Sequence, residues 1–349
     1  MSGLPGNFAG NFDRESVPPA GRRTTRLLAA TGEGVAILDQ RGAEWEVSTT
    51  LAVAGAQCVA VDARRPELAY AGCRGGGVRR TSDGGLTWED AGLPESDVFS
   101  VAVSAADGAV YAGCEPSRLF VADDGDSWRE LEALQTIPSK PTWSFPPRPW
   151  TSHVRWIAPN PHEAGILLVG IELGGLMRSE DGGGSFSDHR AGAQRDVHAL
   201  AWHPEVPGWA YEAAGGGTAW SSDWGESWEP LDGGRDRHYA WALAVDPADP
   251  RRWFVSASPG PFQAHGRGSA AAFVYRLTGD RSWEPLGGGL PQPLGAMPYA
   301  LLFAGDRLFA GLRDGRLYAS PDGGDTWDEL RLVGDPLPSI VALAEAGLH

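Results

Sequence analysis

Short apolar or alternating runs separated by turn residues repeat along this chain, and none of the apolar patterns follows a helical period. One stretch shows the unit plainly, as four runs over residues 197–202, 209–213, 218–220 and 227–230. Gly, Pro and Asp separate these runs, and they are residues that favour turns. The pattern predicts a repeated unit of four antiparallel strands.

A short motif closes this unit at five places along the chain. Its pattern is Ser/Thr-x-Asp-x-Gly-x-Ser/Thr-aromatic, and the five near-copies centre on Asp83, Asp123, Asp181, Asp223 and Asp322. The Asp carboxylate can accept hydrogen bonds from backbone N–H groups, the glycine permits a positive φ, and the aromatic ring covers the turn. The motif therefore predicts a hairpin turn that is fixed by its own hydrogen bonds.

This motif resembles the Asp-box (BNR) repeat of sialidases, xyloglucanases, sortilin-type receptors and photosystem II assembly propellers. The resemblance covers nearly the whole chain and implies a β-propeller, in which each box lies at the outer edge of a blade, away from the ligand face. We therefore expect a structural role for all five boxes. The resemblance is specific for the fold and not for an activity.

The four-strand unit fits six consecutive segments, and a seventh copy is split between the two ends of the chain. The six segments are 55–94, 97–134, 153–192, 196–234, 239–291 and 297–333. Residues 25–50 supply the last three strands of the seventh copy, and residues 339–344 supply its first strand. The sequence thus predicts an all-β, seven-bladed β-propeller of four-stranded antiparallel blades, closed by pairing of the C-terminal strand with the N-terminal hairpin. We expect residues 1–22 to form a flexible leader and residues 23–349 to form the single propeller domain.

Charge and cysteine content narrow the expected partners and location. The formal net charge of −16 disfavours nucleic acid and anionic membranes, since no Lys/Arg-rich stripe is available to replace phosphate counterions. The chain has no apolar stretch of about 18 residues and no basic start followed by an apolar run, so we expect neither a membrane span nor a signal peptide. Cys58, Cys73 and Cys114 lack metal-type spacing and are expected to be buried reduced thiols, which indicates a cytoplasmic location.

The candidate ligand site follows from the topology of a propeller. The loops that lead into the first strands and those between second and third strands lie on one face, around the mouth of the central channel. At these positions blades 2 to 5 bring ionisable groups, whereas blades 6 and 7 bring mostly apolar ones, so the predicted pocket is asymmetric. The ligand-binding candidates in these loops and first strands are Asp97, Glu115, Asp196, Trp241 and Tyr299.

Two insertions break the repeat period on the same face, over residues 134–152 and 256–268. Proline stiffens the first, so its aromatic rings could form a wall over the mouth; alternatively, they cover a bare sheet edge. The second is rich in glycine and could move as a lid. The ligand-binding candidates in the two insertions are Trp143, Trp150, His265 and Arg267.

Histidine and carboxylate side chains suggest a metal site at the mouth. Blade geometry places His153, His198 and Glu172 close together, and such a set could hold one divalent metal ion. It could equally form a hydrogen-bond network between blades. The catalytic candidates are His198, His238, Tyr239 and Arg155; of these, His238 and Tyr239 could move protons, or could form a solvated rim.

The resembled families imply different activities. Sialidases need an arginine triad, but Arg74, Arg155 and Arg313 are scattered around the predicted ring and the Arg-Ile-Pro signature is missing. Xyloglucanase-like enzymes use the cleft between two propellers, and one propeller is predicted here. A further resemblance is to metal-dependent propeller lyases and lactonases, in which His and Glu at the channel mouth hold an ion that polarises a carbonyl.

The sequence thus favours a polar pocket for a small, sugar-like molecule, with hydrolase- or lyase-like chemistry of the glycoside hydrolase or metal-dependent kind. The alternative is a non-catalytic binding or assembly scaffold with a protein partner.

Overall fold

The computed structural model describes residues 25–347 except 124, 126, 146–150, 267 and 280. Within these residues, seven β-sheets of mainly antiparallel strands stand around a central channel. The first strand of each blade contacts the first strand of the next, and the series returns to its start. The fold is therefore the predicted seven-bladed β-propeller. The predicted leader, residues 1–22, lies outside the described residues.

The strands are numbered in chain order. The blade that closes the ring contains β1 (Arg26–Ala30), β2 (Val35–Arg41) and β3 (Glu44–Leu51). Blade 1 contains β4 (Ala56–Asp62), β5 (Arg65–Cys73), β6 (Gly77–Thr81) and β7 (Glu89–Asp90). Blade 2 contains β8 (Val98–Val103), β9 (Val110–Cys114), β10 (Leu119–Ala122) and β11 (Arg129–Glu130). Blade 3 contains β12 (Val154–Pro159), β13 (Leu167–Ile171) and β14 (Gly175–Ser179).

The remaining blades follow the same order. Blade 4 contains β15 (Val197–Trp202), β16 (Ala210–Ala214), β17 (Gly217–Ser221) and β18 (Glu229–Pro230). Blade 5 contains β19 (Tyr239–Val245), β20 (Trp253–Ser258), β21 (Phe273–Leu277) and β22 (Trp283–Pro285). Blade 6 contains β23 (Pro298–Ala304), β24 (Arg307–Leu312), β25 (Leu317–Ser320) and β26 (Asp328–Glu329). The chain then adds β27 (Arg331–Gly334) and β28 (Ala342–Ala346) to the closing blade.

The helical segments lie in the two predicted insertions. Two short 3-10 helices, Glu132–Thr136 and Lys140–Thr142, precede blade 3. The helix α1 (Pro261–His265) lies between the second and third strands of blade 5. Both insertions therefore interrupt the repeat where the sequence predicts.

The ring closes through β28, as predicted. This strand pairs antiparallel with β1, from Arg26 opposite Ala346 to Ala30 opposite Ala342. It starts a few residues later than predicted, because the Ile340 N–H donates to the Leu312 carbonyl of blade 6 before the chain joins β1. The strand β27 runs parallel to β3 as an outer fifth strand that the repeat pattern does not predict.

Glycines in the second strands let neighbouring blades approach closely. A Cβ atom added at Gly170 would lie 2.4 Å from Cγ1 of Val197, the first residue of β15. The equivalent contacts of blades 1, 2 and 6 pair a glycine with a β-branched residue of the next blade: Gly72 with Val98, Gly113 with Val154 and Gly311 with Ile340. Because real Cβ atoms do not approach so closely, only glycine allows this blade spacing without a shift of the neighbour.

In blades 1, 4 and 6 the motif forms the turn between the third and fourth strands, and in blade 3 it follows the third strand. In the copy at Asp223, the carboxylate accepts hydrogen bonds from the Ser227 N–H at 3.0 Å and the Ser227 hydroxyl at 2.5 Å. The Trp228 indole N–H donates to the Gly225 carbonyl at 3.1 Å. The Asp-centred bonds recur in the copies at Asp83, Asp181 and Asp322. Since strands alternate in direction, these turns lie at the opposite end of the blades from the channel mouth.

Within the described residues, no helix is both long and apolar enough to span a membrane. Cys73 and Cys114 are buried and Cys58 is half-buried, and all three are free thiols.

Candidate functional site

A cavity of about 540 Å³ opens at the mouth of the central channel. Its walls are formed by side chains from the loops that precede the first strands and from the turns between second and third strands, as predicted for a ligand face. Both aromatic rings and ionisable groups line it, among them Phe99, Arg155, Glu172, Asp196, Trp241 and His265. The cavity adjoins a second one of about 390 Å³ in the channel, which is lined mainly by apolar residues of the first strands.

Glu172 is held in its ionised form by two neighbours. The His153 Nε2–H donates to Glu172 Oε2 at 2.7 Å, and Arg155 Nε lies 3.5 Å from the same oxygen. Burial opposes the charge, but the hydrogen bond from His153 and the charge of Arg155 lower the pKa of Glu172 to about 2. For His153, burial lowers the pKa, so its imidazole is neutral at pH 7. His153 and Glu172 therefore lie close together, as the sequence predicts, and Glu172 carries a fixed negative charge.

His153 and Arg155 are themselves fixed by aromatic rings. The His153 ring stacks on Phe99 with centroids 3.8 Å apart, and the edge of Phe145 meets it at 4.9 Å. The Arg155 guanidinium lies over the Trp241 ring, 4.5 Å from its centroid. Contacts with aromatic rings therefore fix the positions of the His153 imidazole and the Arg155 guanidinium.

His198 presents one ring nitrogen to the carboxylates. Its Nδ1–H donates to the Ala240 carbonyl at 2.6 Å, and a carbonyl can only accept, so Nδ1 carries the proton. Burial lowers the pKa of His198 to about 4, which leaves Nε2 unprotonated at pH 7. Nε2 lies 3.7 Å from Asp196 Oδ2, is buried and has no hydrogen-bond partner.

Asp196 lies beside the Glu172 carboxylate and the unprotonated Nε2 of His198. Burial, followed by the charge of Glu172, raises the pKa of Asp196 to about 6. One oxygen of Asp196, one of Glu172 and a nitrogen of His198 all lie within 4.8 Å of one another. The pKa of Asp196 is therefore well above that of Glu172, although the two carboxylates are neighbours.

Tight turns hold these side chains in place. Glu172 begins the turn between β13 and β14, in which Leu173 has a φ of +55° and hydrogen-bonds Asp196 through its backbone N–H. On the other side, a Cβ added at Gly215 would lie 1.9 Å from Asp196 Oδ2. The Asp196 carboxylate is thus confined between a strained turn and a glycine.

His265 connects two tyrosines at the opposite wall. Its Nε2 lies 2.8 Å from the Tyr239 hydroxyl, and its Nδ1 lies 2.8 Å from the Tyr299 hydroxyl. Burial, followed by the charge of Arg155, lowers the pKa of His265 to about 4, so one nitrogen donates and the other accepts at pH 7. Burial also raises the pKa of Tyr239, which keeps its hydroxyl protonated.

Asp97 and Glu115 form a separate ion network around Arg74. The guanidinium donates to both oxygens of Asp97 at 2.8 and 3.0 Å and to Glu115 at 3.0 Å. It also lies over the Phe99 ring, 4.2 Å from the centroid. Of these groups Arg74 lines the cavity, so Asp97 and Glu115 orient it rather than face the ligand.

Four further predicted residues, Trp143, His238, His198 and Tyr299, do not line the mouth cavity; His198 and Tyr299 line the adjoining channel cavity instead. Trp143 is buried in the apolar core between blades 2 and 3, and its indole carbon lies against Gly174 of the turn that carries Glu172. His238 is exposed, and its backbone carbonyl accepts a hydrogen bond from the Ala240 N–H. Trp150 and Arg267 lie outside the described residues.

Several lining residues were missed by the sequence analysis. Leu173, Pro261 and Phe262 line the cavity, and Phe262 is 89% exposed. The Ala240 carbonyl, which sets the tautomer of His198, was also missed. A backbone carbonyl carries no sequence signal, whereas an exposed apolar residue in a long insertion is a signal that could have indicated Phe262.

No family model matches this sequence, and no curated protein matches it either. Solved structures of propellers do resemble it. The GH74 xyloglucanase from Xanthomonas campestris is 17% identical with a TM-score of 0.64, over 92% of this chain and 52% of that one. An ancestral GH74 enzyme is 18% identical with a TM-score of 0.59, over 78% of this chain and 38% of that one. YCF48 bound to D1 peptide is 19% identical with a TM-score of 0.54, over 79% of this chain and 82% of that one.

These similarities are to proteins of one fold class, the seven-bladed β-propeller. This chain spans 38% and 52% of the lengths of the two GH74 enzymes. At such identities the likeness establishes the fold and leaves the activity to be argued from the cavity.

Proposed function

We propose that this propeller binds a small, polar, sugar-like molecule in the mouth cavity and acts on it as a hydrolase or lyase. The observation that carries the proposal is the cavity itself, in which the ionised Glu172, the Arg155 guanidinium and the His265 relay face one space of about 540 Å³. Cavities of roughly 300–1,000 Å³ that combine apolar walls with a few fixed polar groups are typical small-molecule sites.

The aromatic walls suit a ring-shaped polar ligand. Phe99, Tyr239 and Trp241 contribute aromatic ring atoms to the walls, while Glu172 and Arg155 offer an acceptor and donors within the same space. A sugar ring has one apolar face and a rim of hydroxyls, so it would use both kinds of surface.

The relay of Tyr239, His265 and Tyr299 supplies proton chemistry. A neutral imidazole between two hydroxyls can accept a proton from one side and return a proton from the other, so Tyr239 can act as acid or base toward a ligand. Glu172, which stays ionised, would stabilise positive charge that develops nearby.

A binding screen tests this proposal. Monosaccharides, oligosaccharides, lactones and uronic acids would be titrated against the protein by calorimetry, and bound compounds would be incubated with it and followed for turnover. We expect at least one to bind, and Trp241→Ala to weaken its binding about tenfold or more, as loss of an aromatic contact of 1.5 kcal/mol would. The matched control is Trp220→Ala, which removes an indole outside the cavity. Equal binding by both variants would contradict the proposal.

A second candidate function is peptide or protein binding by the mouth face. Phe262 is 89% exposed and Leu173 is 38% exposed at the rim of the cavity, which is the type of surface that a partner covers. The similar YCF48 structure has a bound D1 peptide. The scaffold function is preferred if two results are obtained together. Phe262→Ser must abolish capture of a protein partner, and the tested small molecules must either not bind the native protein or bind the Trp241→Ala variant with the same affinity.

We further infer membership of the Asp-box propellers, supported by the four matching turns, and a single domain over residues 23–349. A cytoplasmic location is supported by the three free thiols. Subcellular fractionation of cells that express the protein tests this location: recovery in the cytosolic fraction would support it, and recovery in another fraction would contradict it.

A further inference from the structure

Three side chains that commonly ligate metals converge beside the mouth cavity: Glu172 and Asp196 line it, and His198 lines the adjoining channel cavity. Glu172 comes from the turn after β13, Asp196 directly precedes β15, and His198 is the second residue of that strand. One ligand atom from each lies within 4.8 Å of the other two. The three atoms can therefore contact a single ion of ordinary size.

His198 has the orientation of a metal ligand. Its Nδ1–H is occupied by the Ala240 carbonyl, which leaves the lone pair of Nε2 directed to the side of Asp196. The His198 side chain is fully buried, yet Nε2 has no hydrogen-bond partner among the described residues. An unsatisfied buried acceptor destabilises the fold, and metal-bound histidines generally donate their second N–H to a carbonyl or carboxylate.

The two carboxylates also need a positive charge. One oxygen of Glu172 and one of Asp196 lie within 4.8 Å of each other, and two carboxylates this close repel each other. Arg155 offsets only part of this, since its Nε lies 3.5 Å from Glu172. A divalent cation between the oxygens would offset this repulsion.

We propose that Glu172, Asp196 and His198 bind one divalent transition-metal ion, Zn²⁺ or Mn²⁺, at the wall of the mouth cavity. Two carboxylate oxygens and one imidazole nitrogen suit these ions, whereas Ca²⁺ and Mg²⁺ take oxygen ligands. This set differs from the predicted one of His153, His198 and Glu172, because the Nε2–H of His153 is already donated to Glu172.

The chemical role of the ion rests on the proposed function. Three protein ligands leave a coordination position for an oxygen of the bound molecule or a water, so the ion would act as a Lewis acid toward a carbonyl or hydroxyl of the ligand. Binding of the ion itself does not depend on that molecule.

The first test is a metal titration of the whole chain without an affinity tag. The protein would be treated with chelator, freed of it by gel filtration, and titrated at pH 7.5 with zinc chloride and separately with manganese chloride. We expect one tight equivalent, and a loss of affinity of at least about 100-fold in His198→Ala and in Asp196→Asn. The control Asp306→Asn removes an exposed carboxylate from the turn of β23 and β24 and should bind as the native protein does.

A third variant keeps every ligand atom. Gly215→Ala places a methyl group where the Asp196 carboxylate lies, without a positive φ at that glycine, so the side chain of Asp196 must move while the backbone stays unstrained. We expect this variant to bind the ion at least about tenfold more weakly. It decides the result if circular dichroism shows that His198→Ala or Asp196→Asn is unfolded.

Two outcomes would overturn the assignment. One is the absence of a stoichiometric site in the folded native protein for both metals. The other is an affinity that Asp196→Asn and Gly215→Ala leave unchanged, which would place bound metal elsewhere. A bound ion with no ligand in the binding screen would support the metal site and contradict the proposed function. Ligand binding by a protein that shows no stoichiometric metal site would support the proposed function and contradict the metal site.

Discussion

The Nε2 of His265 lies 2.8 Å from the Tyr239 hydroxyl, although the two residues come from an insertion and from the start of a first strand. This contact makes Tyr239 the hydroxyl of the cavity best placed to exchange a proton. We expect Tyr239→Phe to lower turnover of a bound substrate by about 10² to 10⁴, with its dissociation constant changed only a few-fold, since the ring remains. Steady-state kinetics and calorimetry on the same preparation would measure both.

The matched control for this variant is Tyr275→Phe. That hydroxyl donates to Asp236 outside the cavity, so its loss should leave turnover unchanged. If Tyr239→Phe and Tyr275→Phe turn over the substrate at equal rates, the relay has no catalytic part.

Glu212 should make stability fall as pH rises. This residue of β16 is fully buried, one of its oxygens accepts from the Gln194 N–H at 2.9 Å, and the other has no partner among the described residues. Burial raises the pKa of Glu212 to about 8. The folded state therefore keeps the proton between about pH 4.5 and 8 while the unfolded state loses it, so the group's contribution is complete below pH 4.5 and declines up to pH 8.

The variant Glu212→Gln tests this sign. It should be more stable than the native chain at pH 8.5, by up to a few kcal/mol, and its stability should depend less on pH between 5 and 8. Urea unfolding at several pH values measures the effect, with the exposed Glu89→Gln as control. An equal pH dependence in all three proteins would mean that Glu212 is not protonated in the fold.

Gly170 should not tolerate even one added methyl group. Its Cβ would meet Val197 at 2.4 Å, so Gly170→Ala must push blade 4 away from blade 3, which we expect to cost roughly 1–3 kcal/mol. The control Gly295→Ala adds a Cβ with nothing within 4 Å and with no positive φ, and should be nearly neutral. Chemical denaturation of the two variants side by side would measure the difference, and equal stability would show that the blades adjust freely.

The sequence predicted the blades well because their signals are local. The apolar runs and the turn motif repeat in each blade, so the turn at Asp223 could be expected with its hydrogen bonds. The strand β27 could not be expected, since it pairs with β3 from the other end of the chain and carries no motif. Blade 3 has three strands and an isolated bridge between Arg178 and Ser187 in place of a fourth strand, a departure that no local pattern indicates.

From the sequence, one could predict which residues lie near the candidate site, but not which of their atoms form contacts. The propeller topology brought His153, Glu172, Asp196 and His198 to one side of the mouth, and the structure has them there. Which atoms bond depends on side-chain directions that are set by tertiary neighbours. The donation from His153 to Glu172 and the Ala240 carbonyl behind His198 are of this kind, and the metal set that we propose rests on them.

Ring closure by the C-terminal strand should dominate the stability of the whole domain. Ile340 is fully buried between blade 6 and the closing blade, where its Cγ2 lies against Gly311. We expect Ile340→Ala to cost about 2–5 kcal/mol. Deletion of residues 338–349 should expose the edge of β1 and the surface of β4 that contacts β28, and so cause association or loss of cooperative unfolding. Thermal melts and size-exclusion chromatography would measure these effects, with Leu86→Ala, at a largely exposed position in a turn, as the neutral control. A truncated chain that remained monomeric, and whose melting temperature equalled that of the native chain, would mean that the ring holds without β28.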